Sequence, residues 1–477
     1  MELQVLKLIF TAFTVAFLSA AIRTLEVLIW RPQRLRLKLR QQGIRGPPGS
    51  FFIGNLREMK ELQSHSTTPT KSPSQGDQQA ITHNCSSKLL PFLDRWRQQY
   101  GNVFMFSMGN IQMLYLNDAE AVREMSTCTS LDFGKPSYQL KMMDPLLGQG
   151  IANSNGAKWA EQRKILAPEF YVDKVKGMIN LMVESSITLV NSWSENIEKE
   201  GGVAEINSDI HLRSFSGDVI SKACFGSNYA KGQEIFLKIR ALQEAISKIA
   251  FNSAVPGFRY LPTKTNRQIW KLEREIQSLI LKVVQERKEA TLEKNMLQMI
   301  LEGVENSDQL GCGDATDRFV VDNCKNIYFA GYETTAITAA WTLMLLASNP
   351  GWQAKVRKEV MQLLRGGQLP DADMIPKMKT LTMVINESLR LYPPAALITK
   401  EALEDLKFGN IQVPKGVNVW THVVPLHHDP DIWGPDADRF NPERFANGVI
   451  GACKLPYTYM PFGVGSRSCL GQNFAMA

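Results

Sequence analysis

The stretch PFGVGSRSCLGQNFA, Pro461 to Ala475, decides how this chain is read. A lone cysteine is ordinarily a small buried hydrophobe. Around Cys469, however, stand Phe462, Gly463, Gly465, Arg467 and Gly471. The glycines let the backbone turn where a side chain would collide with a flat group lying above it. Loop amides and the positive end of a helix starting at Leu470 favour a thiolate, the form in which sulfur binds metal. Arg467 offers a charge-assisted contact to a carboxylate, and Phe462 shields the sulfur from water.

Working outward, INESLRLYPP places Glu387 and Arg390 three apart on one helix face, and FNPERF supplies Arg444. Taken alone, such a pair is a solvated helix contact. In GAKWAEQRKILAPEF, Trp159 and Arg163 lie one turn apart, which suits packing and ligand contact equally. In FAGYETTA, Glu333 and Thr334 interrupt an apolar helix; by themselves they read as a surface acid and a threonine bonding back to the helix. His427 and His428 are adjacent in an extended segment and so point to opposite faces, a structural arrangement rather than a metal site.

Taken together and in this order, these segments resemble the cytochrome P-450 superfamily, over nearly the whole chain. The resemblance implies haem b (iron protoporphyrin IX) with Cys469 as the proximal iron ligand. It also implies Arg467, Trp159 and Arg163 at the propionates, and Phe462 and Gly463 beneath the ring. Glu387, Arg390 and Arg444 form an internal ion network that fixes the cysteine loop. Lys400 stands where the family usually has arginine, so a point charge replaces a bidentate fork. On the other side of the ring, residues 330–335 open a kink, Thr334 hydrogen-bonds dioxygen, and Glu333 feeds protons. This acid and alcohol pair favours monooxygenation over the reductase-independent isomerase or dehydratase chemistry of other haem-thiolate proteins.

PGFRYLPTKTNRQIWKLEREI, AGYETTA and THNCSSKLLPFLDRWRQQYG are most similar to the plant clan oxidising gibberellins, cytokinins and brassinosteroids, and within it to the gibberellin- and terpenoid-oxidising family. The resemblance implies a hydrophobic di- or triterpenoid substrate and electrons from NADPH through a flavoprotein reductase. The family continues past Ala477, so the sequence is either a piece of a longer protein or a truncated, catalytically inactive membrane-bound product.

Composition narrows the rest. The net charge of +7 is modest over 477 residues, with no basic stripe interleaved with aromatics, which argues against a nucleic-acid partner. Seven scattered cysteines without a Cys-x-x-Cys pair provide neither a disulfide framework nor a zinc site. An apolar run from Leu8, extended to Trp30, precedes Arg31, Arg34, Arg36, Lys38 and Arg40. It reads as one membrane-spanning helix, with Ser19, Ala20 and Ala21 offering a cleaved signal peptide as the rival. The positive residues after the helix place the remainder in the cytosol, on the endoplasmic reticulum membrane, with the sequons at Asn84 and Asn386 unglycosylated.

The domain plan is an anchor over 1–30, a basic and Pro/Gly-rich hinge over 31–49, and one haem-binding domain over 50–477. The fold class is mainly α (α+β). Helices are expected over 173–199, 233–252, 264–293 and 317–348, hairpins over 102–117 and 406–420, and a polar surface loop over 63–87.

Overall fold

The computed structural model describes residues 2–66, 82–226, 229–249, 260–288, 296–305 and 314–477. Most of the expected loop over 63–87, and the ends of the expected helices at 252 and 293, lie outside them.

The N-terminus is helical from Glu2 to Gln41: α1 (Glu2–Leu25), a π-helical turn (Glu26–Trp30) and α2 (Arg31–Gln41). Residues 4–41 form a helix long and apolar enough to cross a membrane. The basic tract is therefore helix. Its long unbranched side chains favour that conformation, and Leu39 is fully buried against the sheet. The chain leaves helical geometry only at Gly43, where φ is +80°.

The body is a helical mass beside a small sheet. Its helices include α3 (Ser137–Leu147), α4 (Gly156–Leu166), α5 (Val172–Lys199), α6 (Ser208–Phe225), α7 (Tyr229–Ile249), α8 (Lys264–Lys288), α9 (Asp314–Ser348), α10 (Lys379–Leu391) and α11 (Gln472–Met476). Strands β1 (Val103–Met108) and β2 (Ile111–Leu116) form the first expected hairpin. With β3 (Phe133–Gly134), β4 (Leu397–Ala402) and β7 (Asn418–His422) they make a five-stranded sheet ordered β1-β2-β7-β4-β3. The second expected hairpin is shorter than 406–420. Only β5 (Leu406–Phe408) and β6 (Ile411–Val413) pair, because the chain turns at Gly416 and β7 joins the larger sheet, parallel to β2.

The main core lies between α3, α6, α7, α8 and α9, with Ile220, Ile239, Ile276 and Tyr328 all but sealed. Gly331 lets α6 approach α9: a Cβ there would stand 2.8 Å from the Ile220 side chain. Buried polar groups on α9 secure the loop that leads to the cysteine site. Asp322 Oδ2, Asn323 Oδ1 and Asn326 Oδ1 accept the N–H groups of Gln149, Ile151 and Ala152 at 2.8, 2.9 and 2.8 Å. Side chains thus replace the ladder bonds that this irregular backbone lacks.

Candidate active site

The cysteine loop is shaped by positive-φ glycines and one short hydrogen bond. Gly463 (φ +73°) donates to Met460 O at 3.0 Å, and Cys469 N–H donates to Phe462 O at 2.7 Å. Gly465 (φ +71°) passes so near the Met125 and Cys128 carbonyls that a Cβ would meet them at 3.1 and 3.0 Å. The helix beyond the cysteine begins at Gln472, not at Leu470; Leu470 and Gly471 complete the turn. Cys469 itself is exposed. Desolvation among the packed loop atoms pushes its thiol up, opposed by a backbone hydrogen bond at Gly471 and by the Arg163 guanidinium. Coordination to a metal ion would favour the thiolate over the thiol.

Beside the loop, four cations converge. Arg163 Nη1 donates to Ser468 O at 3.0 Å, Arg467 Nη1 to Ser154 O at 3.0 Å, and Arg467 Nη2 to Asn155 Oδ1 at 2.8 Å. Trp159 is buried beneath both guanidiniums, 4.3 Å from Arg467 Cζ and 5.7 Å from Arg163 Cζ. Its ring face supports both cations. Lys400 projects from mid-β4, and burial, Arg467 and Lys135 pull its pKa down to about 7. Burial likewise lowers Lys135, and brings Arg467 down to about 10. Among the described residues none of the four has a carboxylate partner. Like charges gathered in a partly buried cluster, with Lys400 itself buried, favour an anion with more than one carboxylate. The two propionates of haem meet that need, so the donor set fits the group.

Lys135 and Asn155 were not singled out in the sequence. Asn155 accepts Lys135 N–H at 2.7 Å as well as the Arg467 contact, joining two segments far apart in the chain. No local spacing marks either residue.

The cation cluster makes haem retention pH-dependent. Lys400 is charged below pH 7 before haem arrives. Above it, binding must recapture a proton, so retention is expected to weaken as pH rises from about 7 toward the ordinary lysine value of 10.5. The haem-free chain shows the opposite slope there, because its unfolded state holds the proton longer. Haem transfer to a scavenging globin, measured on either side of pH 7, checks this; Lys400→Arg should flatten the profile.

Facing Phe462 across a largely apolar cavity of about 330 Å³ are Thr334, Thr335 and Thr338 of α9, with Leu389 of α10 and Leu212 of α6. The expected opening over 330–335 is not present: α9 is helical throughout, and Thr334 Oγ1 donates to Ala330 O at 2.8 Å. Glu333, one residue earlier, points to a different side. It is ion-paired with Arg213 of α6, whose Nε also donates to Asp209 at 3.0 and 3.1 Å. Ser216, one turn along α6, donates to Gly331 O at 3.0 Å. Neither α6 residue was foreseen, since only the approach permitted by Gly331 brings them to α9.

Behind the loop lies the buried network. Arg390 donates Nε to Glu387 Oε2 and Nη2 to Glu387 Oε1, both at 2.7 Å, and neither side chain is exposed. Its remaining donors reach His427 O, Ala437 O and Arg439 O. Arg444 Nε lies 3.6 Å from Glu387 Oε1. His427 links this network to the loop: its Nδ1 meets Arg390 O at 3.0 Å and its Nε2 accepts Met460 N–H at 3.0 Å. Burial drives its pKa down to about 3, so it is neutral, with the Nδ1 proton given to Arg390 O. His428 contacts Asp438 and Leu391 O. The segment is not extended as expected: His427 ends a short helix, Val423–His427, and His428 follows it, both held by these structural contacts.

Residues 69–477 match the cytochrome P-450 family. The chain is 48% identical to cytochrome P-450 714C2 of Oryza sativa subsp. japonica over 454 residues, 94% of this chain and 86% of that protein. It is 46% identical to cytochrome P-450 714A2 of Arabidopsis thaliana, over 93% of this chain and 85% of that one. It is 44% identical to cytochrome P-450 714B3 of Zea mays, over 99% and 88%. A cysteine in a glycine-shaped loop beside cations without carboxylate partners, near a threonine-lined apolar cavity, is the arrangement a haem-thiolate monooxygenase requires, and the chain belongs to the cytochrome P-450 family.

Proposed function

We propose that the chain inserts one oxygen atom of dioxygen into a hydrophobic plant metabolite, a gibberellin or other di- or triterpenoid. In this reading it is anchored by residues 1–30 in the endoplasmic reticulum membrane. The basic and Pro/Gly-rich segment 31–49 joins that anchor to a haem domain over 50–477 facing the cytosol. Two electrons come from NADPH through a membrane-bound flavoprotein reductase, and two protons leave with the second oxygen atom as water.

The observation that carries the reading is that Thr334 and the Phe462 loop share one largely apolar cavity, with an acid one residue from the hydroxyl. Haem bound over Cys469 supplies the one-electron and dioxygen chemistry. Cys469, Phe462 and Gly463 hold it from below; Arg467, Arg163, Lys400 and Lys135 hold its carboxylates, with Trp159 beneath the guanidiniums. Leu212, Leu343, Leu346 and Leu389 exclude water and grip an apolar skeleton. Thr334 holds a proton-donating hydroxyl at the cavity wall. Glu333 stores and passes the proton, and Arg213 restrains it until it turns. Asp209 keeps Arg213 paired when Glu333 leaves.

The test is turnover of a panel of gibberellins and triterpenoids by membranes bearing the full chain, with NADPH, reductase and isotopically labelled dioxygen. One labelled oxygen per product, dependent on reductase, is expected. Product formed without reductase or without label would overturn the reading in favour of an isomerase or dehydratase. Glu333→Gln is expected to slow labelled product by about 10²-fold while leaving haem binding intact. Arg213→Gln should cost less and raise the hydrogen peroxide formed per NADPH.

A further inference from the structure

We propose that the cavity between α2 and the turn at 50–54 is a binding site for one phospholipid with an anionic headgroup, a reading that rests on residues 1–30 lying in a membrane. The cavity holds about 440 Å³, and its walls include Leu28, Ile29, Arg36 and Arg40 on the helix side and Phe51 and Phe52 on the other. No acidic side chain lines it.

Arg36 gives one N–H, from Nη2, to Pro47 O at 2.9 Å, while its Nε is buried with no hydrogen-bond partner. Arg40 stands one helical turn further on, exposed, and neither forms an ion pair among the described residues. Like charges at this spacing repel. Arg34, on the same helix, is already neutralised by Glu26 at 2.5 and 2.7 Å. Two unpaired guanidiniums over one cavity, one with an unused buried donor, match a phosphodiester.

The apolar side specifies a lipid rather than a free anion. Ser50 and Gly54 close the turn with reciprocal N–H to O bonds of 2.9 Å, and Phe52 adopts φ +63°, uncommon for a bulky residue. That geometry holds Phe51, Phe52 and Ile53 outward, 64%, 58% and 52% exposed. They continue the apolar surface of the α1–α2 helix, so a headgroup between Arg36 and Arg40 would lay its acyl chains along Leu28, Ile29 and the two phenylalanines.

The experiment uses the full chain in phosphatidylcholine vesicles doped with photoreactive phosphatidylglycerol, and in parallel with photoreactive phosphatidylcholine. Phosphatidylglycerol is expected to label residues 28–53 preferentially. The double variant Arg36→Gln/Arg40→Gln should lower that labelling about 30-fold, and Arg40→Gln alone, at an exposed position, about fivefold. Arg34→Gln should leave it unchanged, and excess inorganic phosphate should not compete. Equal labelling by both lipids, or an unchanged double variant, would overturn the proposal. Full competition by phosphate would replace the lipid with a free anion. A chain that washes off the vesicles in carbonate would overturn the membrane reading with it, whereas a retained chain without lipid preference sinks this inference alone.

Discussion

Cys469→Ala is expected to abolish the strongly red-shifted Soret band in the reduced carbon monoxide difference spectrum of membranes expressing the chain, and with it all turnover. The band reports a thiolate opposite carbon monoxide, and none of the other five described cysteines is placed to substitute. Cys224 and Cys324 are buried in the helical core, Cys85 and Cys453 lie on other segments, and Cys128, which meets the loop through its backbone at Gly465 and Ser466, sits on the far side of that contact beside Lys400. The thiol of Cys469 lies above its ordinary range without metal, so iron and sulfur ionisation are coupled. Cys469→His should therefore keep haem through the Lys135, Lys400 and Arg467 cluster yet show no red-shifted band. Pyridine haemochrome content measured beside the difference spectrum separates the two effects. A red-shifted band in the alanine chain would mean that another sulfur ligates the iron.

The cysteine loop was legible because its requirements are local. Turns, a cation and a shielding ring crowd into a few residues, and each leaves its residue type in the sequence. Glu387 and Arg390 were legible as a pair one helical turn apart, but their spacing alone reads as a solvated contact, and their burial followed only from the family resemblance. What α9 does with Glu333 was not. Adjacent helical residues point about 100° apart, so Thr334 at the cavity forces Glu333 elsewhere. Its partner is decided by α6, over a hundred residues away in sequence. Asn155 and Lys135 are hidden in the same way, since their roles exist only once loop and sheet meet. The basic tract after the anchor was legible as charge but not as helix, because Leu35 and Leu39 declare themselves only against the sheet core.

Removing one member of the buried network is expected to cost far more than removing a surface pair. Glu387 and Arg390 are wholly sealed, and every donor of Arg390 named above ends on a carboxylate or a carbonyl. Arg390→Ala would strand a carboxylate in that interior and orphan the His427, Ala437 and Arg439 carbonyls. The expected loss is about 3–5 kcal/mol. Glu387→Gln keeps the volume and should cost less, though it too leaves Arg390 without a counter-charge, while Arg444 keeps Asp436 at 2.7 Å. The loss does not stay local. Arg390 O fixes the tautomer of His427, whose Nε2 accepts Met460 N–H, and Met460 O accepts Gly463 N–H at the start of the loop. Loosening Arg390 therefore reaches Gly463 at the start of the loop through three hydrogen-bonded contacts, and Cys469 through the bond of its N–H to Phe462 O beside it. Denaturant unfolding of the haem-loaded chain should show a lower midpoint for Arg390→Ala, and the fraction of haem giving the red-shifted carbon monoxide band should fall before secondary structure is lost. If both signals instead fall together, the network stabilises the fold as a whole and does not act on the cysteine loop through His427.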